Sequence, residues 1–223
     1  MAKVNIVGPA GRLEARYDHA EEDNAPLALV LHPHPQHGGT MHNKVVYSMY
    51  HTFRRNGFSV MRFNFRGVGL SEGIFDKGEG ELSDAASALD WMQQHNKAPS
   101  AIWVAGFSFG AMIAMQLLMR RPEIDRFSIV APPANMYDFS FLAPCPSSGV
   151  VIQGTADDIV PPDSVSKMVQ RLQMQRGITI TEKHIEGAGH FFDSEDGHMG
   201  RLMAALHRYI AQETPLIAEE RAE

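Results

Sequence analysis

The chain has 223 residues, 44% hydrophobic and 21% charged, which excludes a disordered protein and suits one domain able to bury a core without disulfides or metals. A formal net charge of −6, with no run of Lys and Arg, excludes a nucleic-acid surface, which needs a basic stripe. One cysteine, Cys145, excludes an intrachain disulfide, and no apolar run approaches the roughly 20 residues of a membrane span. A cytoplasmic location is therefore expected, with no membrane partner; the N-terminal apolar stretch is too short for a signal peptide.

Residues 4–7 and 13–17 read as short strands around the turn Gly8-Pro9-Ala10-Gly11. Residues 27–31 form a continuous apolar run, the pattern of a strand buried on both faces. A Pro- and Gly-rich loop, 32–40, follows. Residues 44–56 place Val45, Met49 and Phe53 on one helical face and stop at Gly57. A strand at 58–65 leads into a glycine-rich loop, 66–80, and a helix at 82–95 with Ala85, Leu89 and Met92 inward. A strand at 101–105 precedes a helix at 109–120 that is apolar nearly all round, as a helix buried against a sheet would be. Strands at 127–130, 150–153 and 179–185 and helices at 163–176 and 195–211 complete the series, with 214–223 a flexible tail. Strand and helix alternate from residue 27 onward. This implies a single α/β domain whose mostly parallel sheet carries helices on both faces.

The chemistry centres on Gly106-Phe107-Ser108-Phe109-Gly110. A serine hydroxyl is a weak nucleophile and needs a positioned base. In Gly-x-Ser-x-Gly the serine sits on a sharp strand-to-helix turn, and the glycines allow backbone approach that side chains would block. The predicted strand before the motif and helix after it supply that context. The base should follow the last strand, where Gly187-Ala188-Gly189-His190 offers His190. The orienting acid should lie between them, and Asp157 in Gly154-Thr155-Ala156-Asp157-Asp158 is preferred over its neighbour Asp158. An oxyanion hole needs two backbone amides. Phe109 supplies one. The loop after residues 27–31 supplies the other: Pro33 and Pro35 have no N–H, so His34 is preferred, with Gln36 and the Gly38-Gly39 pair as alternatives. No cofactor is required. The histidines of this loop (His32, His34, His37 and His42) lack the acidic or cysteine neighbours of a metal set. Gly67, Gly69 and Gly73 lack the spacing and the Gly-Lys-Ser/Thr ending of a phosphate loop.

His32-Pro33-His34-Pro35 with Gly38-Gly39-Thr40-Met41-His42-Asn43-Lys44, Arg62-Phe63-Asn64-Phe65-Arg66-Gly67, the Ser108 motif, Ala131-Pro132-Pro133, Gly154-Thr155-Ala156-Asp157 and Gly189-His190-Phe191-Phe192 together resemble the α/β-hydrolase superfamily. The likeness is strongest to a group of small bacterial serine hydrolases and runs from about residue 27 to the last helix. The chain is also similar to dienelactone hydrolases, but those carry cysteine where Ser108 stands. The resemblance implies a sheet of about eight strands and a hydrolase of esters, thioesters or peptides. Many relatives insert a helical cap after the sixth strand. Here residues 132–148 have room for little more than one helical turn, around 135–141, so a minimal cap and an open, shallow site are expected. Phe107, Tyr137 and Phe191 are the candidate substrate-binding residues, with Phe109, Phe139 and Phe192 as further lining. A small acyl ester suits such a site, with thioester, peptide or non-catalytic binding readings left open. The uncovered aromatic surface also leaves a homo-oligomer open.

Overall fold

In the computed structural model, which describes residues 2–193 and 197–220, β1 (Ala2–Gly8) and β2 (Gly11–Asp18) form an antiparallel hairpin closed by the pair Gly8 and Gly11. The remaining strands are β3 (Leu27–Leu31), β4 (Ser59–Phe63), β5 (Ile102–Phe107), β6 (Arg126–Val130), β7 (Ser148–Gly154) and β8 (Ile180–Ile185). They build one sheet in the order β1-β2-β4-β3-β5-β6-β7-β8. Pairing is antiparallel from β1 to β4 and parallel from β4 to β8, so the expected mostly parallel, eight-stranded sheet is present.

Alternation along each strand divides the core into two layers. Leu27, Leu29 and Leu31 face α2 (Glu79–His95), α3 (Phe109–Leu118) and α4 (Pro162–Gln173). Ala28 and Val30 face α1 (Lys44–Arg55) and α5 (His198–Glu220). Both faces of β3 are therefore covered, which is why its five residues are all apolar. In α3 only Gln116 escapes burial, in line with its uniformly apolar sequence.

Three expectations need correction. The helix α2 starts at Glu79 rather than 82. The Glu81 carboxylate accepts from the Asp76 and Gly78 N–H groups, capping a first turn whose polar residues carry no hydrophobic period. The segment after β6 forms only a short 3-10 turn, Ser140–Leu142, instead of a helical turn at 135–141. Asp138 accepts from both the N–H and the hydroxyl of Ser140 and so starts the turn there. The last helix runs to Glu220, through Pro215, whereas its end was expected at 211. A largely buried Arg126–Glu213 ion pair at 2.7 Å fastens that end to β6. Residue 195, the expected start of this helix, and residues 221–223 lie outside the described residues. Among the described residues, no helix is long and apolar enough to cross a membrane.

The glycine-rich loop between β4 and α2 is fixed by charge. Arg66 donates through Nε and Nη2 to Asp84 at 2.9 and 2.7 Å, and its backbone N–H donates to the same carboxylate. Asp84 is fully buried, and Arg66 is nearly so. Asp84→Ala is expected to cost about 3 kcal/mol in urea unfolding, because it removes the carboxylate that accepts from the backbone N–H, Nε and Nη2 of Arg66 and leaves that largely buried guanidinium without its hydrogen-bonded partner. A loss under about 1 kcal/mol would show that the pair does not anchor the loop.

Candidate active site

β3 lies between β4 and β5, so the connections leaving its C-terminal end and that of β5 diverge, and a crevice opens there. Ser108 sits in it, between the last residue of β5 and the first of α3. Its φ of 54° and ψ of −121° are a strained conformation for a residue with a side chain. Two glycines make the turn possible. A Cβ on Gly106 would collide with the Gly110 carbonyl, and one on Gly110 with the Leu31 carbonyl. The Ser108 N–H is held by Val130 O at 2.9 Å, and its carbonyl accepts from Ala111 N–H at 2.8 Å. The side chain is thus fixed from both sides and left half-exposed.

His190 reaches this serine from the loop after β8. Its Nε2 lies 3.1 Å from Ser108 Oγ, and its Nδ1 lies 2.8 Å from Asp157 Oδ2. Asp157 follows β7 and is buried, whereas Asp158 faces outward. The Asp157 carboxylate is saturated. Oδ2 also accepts from Gln153 Nε2 at 3.0 Å, and Oδ1 accepts from the Ile159 and Val160 N–H groups at 3.0 and 2.8 Å. Burial alone would raise the Asp157 pKa. The hydrogen bonds from His190, the Val160 amide and Gln153, with the attraction of His190, outweigh it and hold the carboxyl below its ordinary value. The structure therefore brings together the three side chains singled out in the sequence and separates the two adjacent aspartates.

The N–H groups of Phe109 and His34 have no hydrogen-bond partner among the described residues. Two of the alternative donors are engaged: Gln36 N–H donates to His34 Nδ1 at 3.2 Å, and Gly39 N–H to His34 O at 3.0 Å. His32 is a core residue. Its Nδ1 lies 2.6 Å from Pro33 O and its Nε2 accepts from Phe65 N–H at 3.0 Å. Burial takes its pKa down to about 3, so the ring is neutral and serves as a brace for the loop. Arg62 and Asn64 secure the far end of the same loop through the Met41 carbonyl and N–H. Among the described residues, no three His, Cys, Asp or Glu side chains converge as a metal site.

A cavity of about 280 Å³ opens over Ser108. Phe109, Tyr137 and Phe191 line it, as the sequence suggested. Phe107, Phe139 and Phe192 do not. Phe107 points away from the crevice into the layer beneath, where its ring packs 5.0 Å from that of His190. It supports the imidazole from below. Phe192 is also fully buried, and Phe139 belongs to a separate groove. Met136 and Ile159 complete the apolar lining and His37 and Asn43 the polar part; sequence reasoning missed all four. Ile159 carried a signal, because a large apolar residue at the tip of a polar loop two positions after the acid has reason to face a ligand. No Asp, Glu, Lys or Arg is among the described residues lining this cavity.

Residues 3–176 match the profile of the family X-Pro dipeptidyl-peptidase (S15 family). An uncharacterized protein of Rickettsia prowazekii is 54% identical over 196 residues, covering 86% of this chain and 82% of its own. A provisional α/β hydrolase of unknown function from Agrobacterium tumefaciens is 53% identical with a TM-score of 0.91, covering 95% of this chain and 96% of the other. A lidless α/β serine hydrolase from Xanthomonas campestris is 35% identical with a TM-score of 0.83, covering 95% and 94%.

Proposed function

The chain is a serine hydrolase of the α/β-hydrolase superfamily, belonging to the family X-Pro dipeptidyl-peptidase (S15 family), and on that premise we propose that the bond it cleaves is a carboxylic ester with a small acyl group. The observation carrying the reading is the continuous hydrogen-bonded line from Ser108 Oγ through His190 to Asp157. In the proposed cycle Ser108 Oγ attacks the carbonyl carbon while His190 Nε2 takes its proton. The Phe109 and His34 N–H groups receive the oxyanion. The carbon–oxygen bond to the alcohol breaks as His190 returns the proton to the leaving oxygen. Water, deprotonated by His190, then attacks the acyl carbon, and the bond to Ser108 Oγ breaks as His190 Nε2 returns that proton to Oγ, releasing the acid and free Ser108.

Size and charge support the ester. A cavity of about 280 Å³ lies at the small end for ligand sites, and its apolar wall matches a short acyl or aryl group. An enzyme that releases X-Pro dipeptides must hold a free ammonium, and the uncharged lining offers that cation no carboxylate. The family match favours the peptide as a second reading, so the two are tested together. Acetyl and butyryl p-nitrophenyl esters are expected to exceed both the long-chain esters and Ala-Pro-p-nitroanilide in kcat/KM by at least about tenfold. Preference for long chains would overturn the small acyl site, and preference for the anilide would replace the ester by the peptide.

A further inference from the structure

Gln153 is the next-to-last residue of β7 and is fully buried. Its amide nitrogen is surrounded by acceptors. Nε2 donates to Asp157 Oδ2 at 3.0 Å and to the Val160 carbonyl at 2.9 Å, with the Gly154 carbonyl at 3.4 Å. The opposite orientation of the amide would set Oε1 against three oxygens, so the NH2 group must face Asp157. Oε1 is also buried and accepts no hydrogen bond among the described residues. An unpaired buried carbonyl is a cost that an apolar side chain of similar length would avoid. The donor half of this amide is therefore what the position uses.

That donor meets the oxygen on which the hydrogen-bonded line depends. Asp157 Oδ2 is the atom 2.8 Å from His190 Nδ1, so the imidazole and Gln153 share its lone pairs. Val160 closes the frame, because its N–H donates to Oδ1 and its carbonyl accepts from Gln153. Among the described residues only His190 and Gln153 bond to Oδ2. His190 is otherwise faced by Ser108 Oγ from the elbow, the Phe107 ring from β5 and the Phe191 ring from its own loop. The other titratable groups stand further out. His184 on β8, the register partner of Gln153, is exposed and bonded to Glu182 at 2.8 Å. Asp158 faces outward, His198 of α5 stands beside Gly187, and Asp193 is paired with Lys44 of α1. Gln153 is not among the residues lining the cavity over Ser108, so it acts on the substrate only through Asp157 and His190.

We infer that Gln153 is a positioning residue that tempers the Asp157–His190 bond, keeping the imidazole unprotonated and able to act as the base at a lower pH than Asp157 alone would allow. The inference rests on the Ser108–His190–Asp157 reading above. A hydrogen bond from Gln153 draws part of the carboxylate's charge away from His190. Without it Oδ2 faces the imidazole alone. The imidazolium is then held more tightly, and the base is lost to protonation at a higher pH.

Gln153→Met removes the donor and keeps the length of the side chain. The acidic limb of kcat/KM on p-nitrophenyl acetate should move up by about half a pH unit to one unit, with the plateau KM unchanged and the plateau kcat within about tenfold of the parent. A fall in activity with the limb in place is what a merely structural role would give, and it would overturn the inference, as would a rise in KM alone. Proton uptake by His190, followed by NMR of the imidazole nitrogens, reads the same shift without a substrate. A midpoint that rises in Gln153→Met supports the inference even if no ester is turned over. An unmoved midpoint alongside normal ester turnover removes it and leaves the ester reading intact. The parent protein supplies a further measurement should the variant fail to fold. The side-chain amide protons of Gln153 should shift with the same midpoint as His190, because both bond to one carboxylate oxygen. Amide protons that ignore that titration would overturn the inference.

Discussion

Ser108→Ala should abolish both ester turnover and labelling by a fluorophosphonate probe, with a fall in kcat of roughly a millionfold. The size follows from the geometry. Oγ is the atom 3.1 Å from His190 Nε2, and alanine removes it while leaving the other hydrogen bonds of the elbow in place, because those run through the backbone N–H and carbonyl of residue 108. The variant should therefore unfold at about the same urea concentration as the parent. Residual activity would come from binding and the amides of Phe109 and His34 alone. Full labelling of the variant would place the nucleophile at another residue.

Asp157→Asn should lower kcat by about ten-thousandfold, and Asp158→Asn by less than about twofold. Asp157 Oδ1 receives two backbone N–H donors, from Ile159 and Val160, so the oxygen of an introduced amide must stay on that side. Its nitrogen then faces His190 Nδ1 and donates to it. The imidazole must carry its proton on Nε2, where it can no longer accept the proton of Ser108. The same NH2 group meets the Gln153 amide, donor against donor, which adds a stability cost. The pH dependence of stability has a definite sign. The Asp157 pKa is depressed in the folded protein, so its contribution is complete above the ordinary carboxylate range and is lost as the pH falls through the lower, folded value. Acid unfolding of the parent should therefore be steeper than that of Asp157→Asn. Comparable kcat values for the two aspartate variants would dismiss Asp157 as the orienting acid.

Much of this molecule was legible along the chain because the relevant physics is local. An apolar run such as 27–31 reports burial on both faces, and the switch from strand to helix around Ser108 reports the elbow. The glycines at 106 and 110 are required by backbone collisions within a few residues or with the adjacent strand. The order Ser108, Asp157, His190 follows from the order of the strands that carry them. Polar capping escaped the same reading. Glu81 extends α2 by a turn, and Asp138 replaces a helical turn by a shorter one, through side-chain hydrogen bonds that leave no periodic trace. The long last helix depends on the Arg126–Glu213 pair, between residues far apart in sequence.

The sequence by itself determined the strand and helix alternation, the strained serine turn and the identity of the base, since each is set by near neighbours and side-chain type. Tertiary structure decided which aspartate meets His190, because adjacent residues in a turn point in opposite directions and only one can be buried beneath the imidazole. It also decided which aromatics face the ligand. Phe107 and Phe109 flank the same serine, yet the end of a strand turns one ring into the core under His190, and the start of a helix turns the other into the cavity. That choice rests on the pleat of β5 and the first turn of α3, packed between elements that the local sequence cannot see.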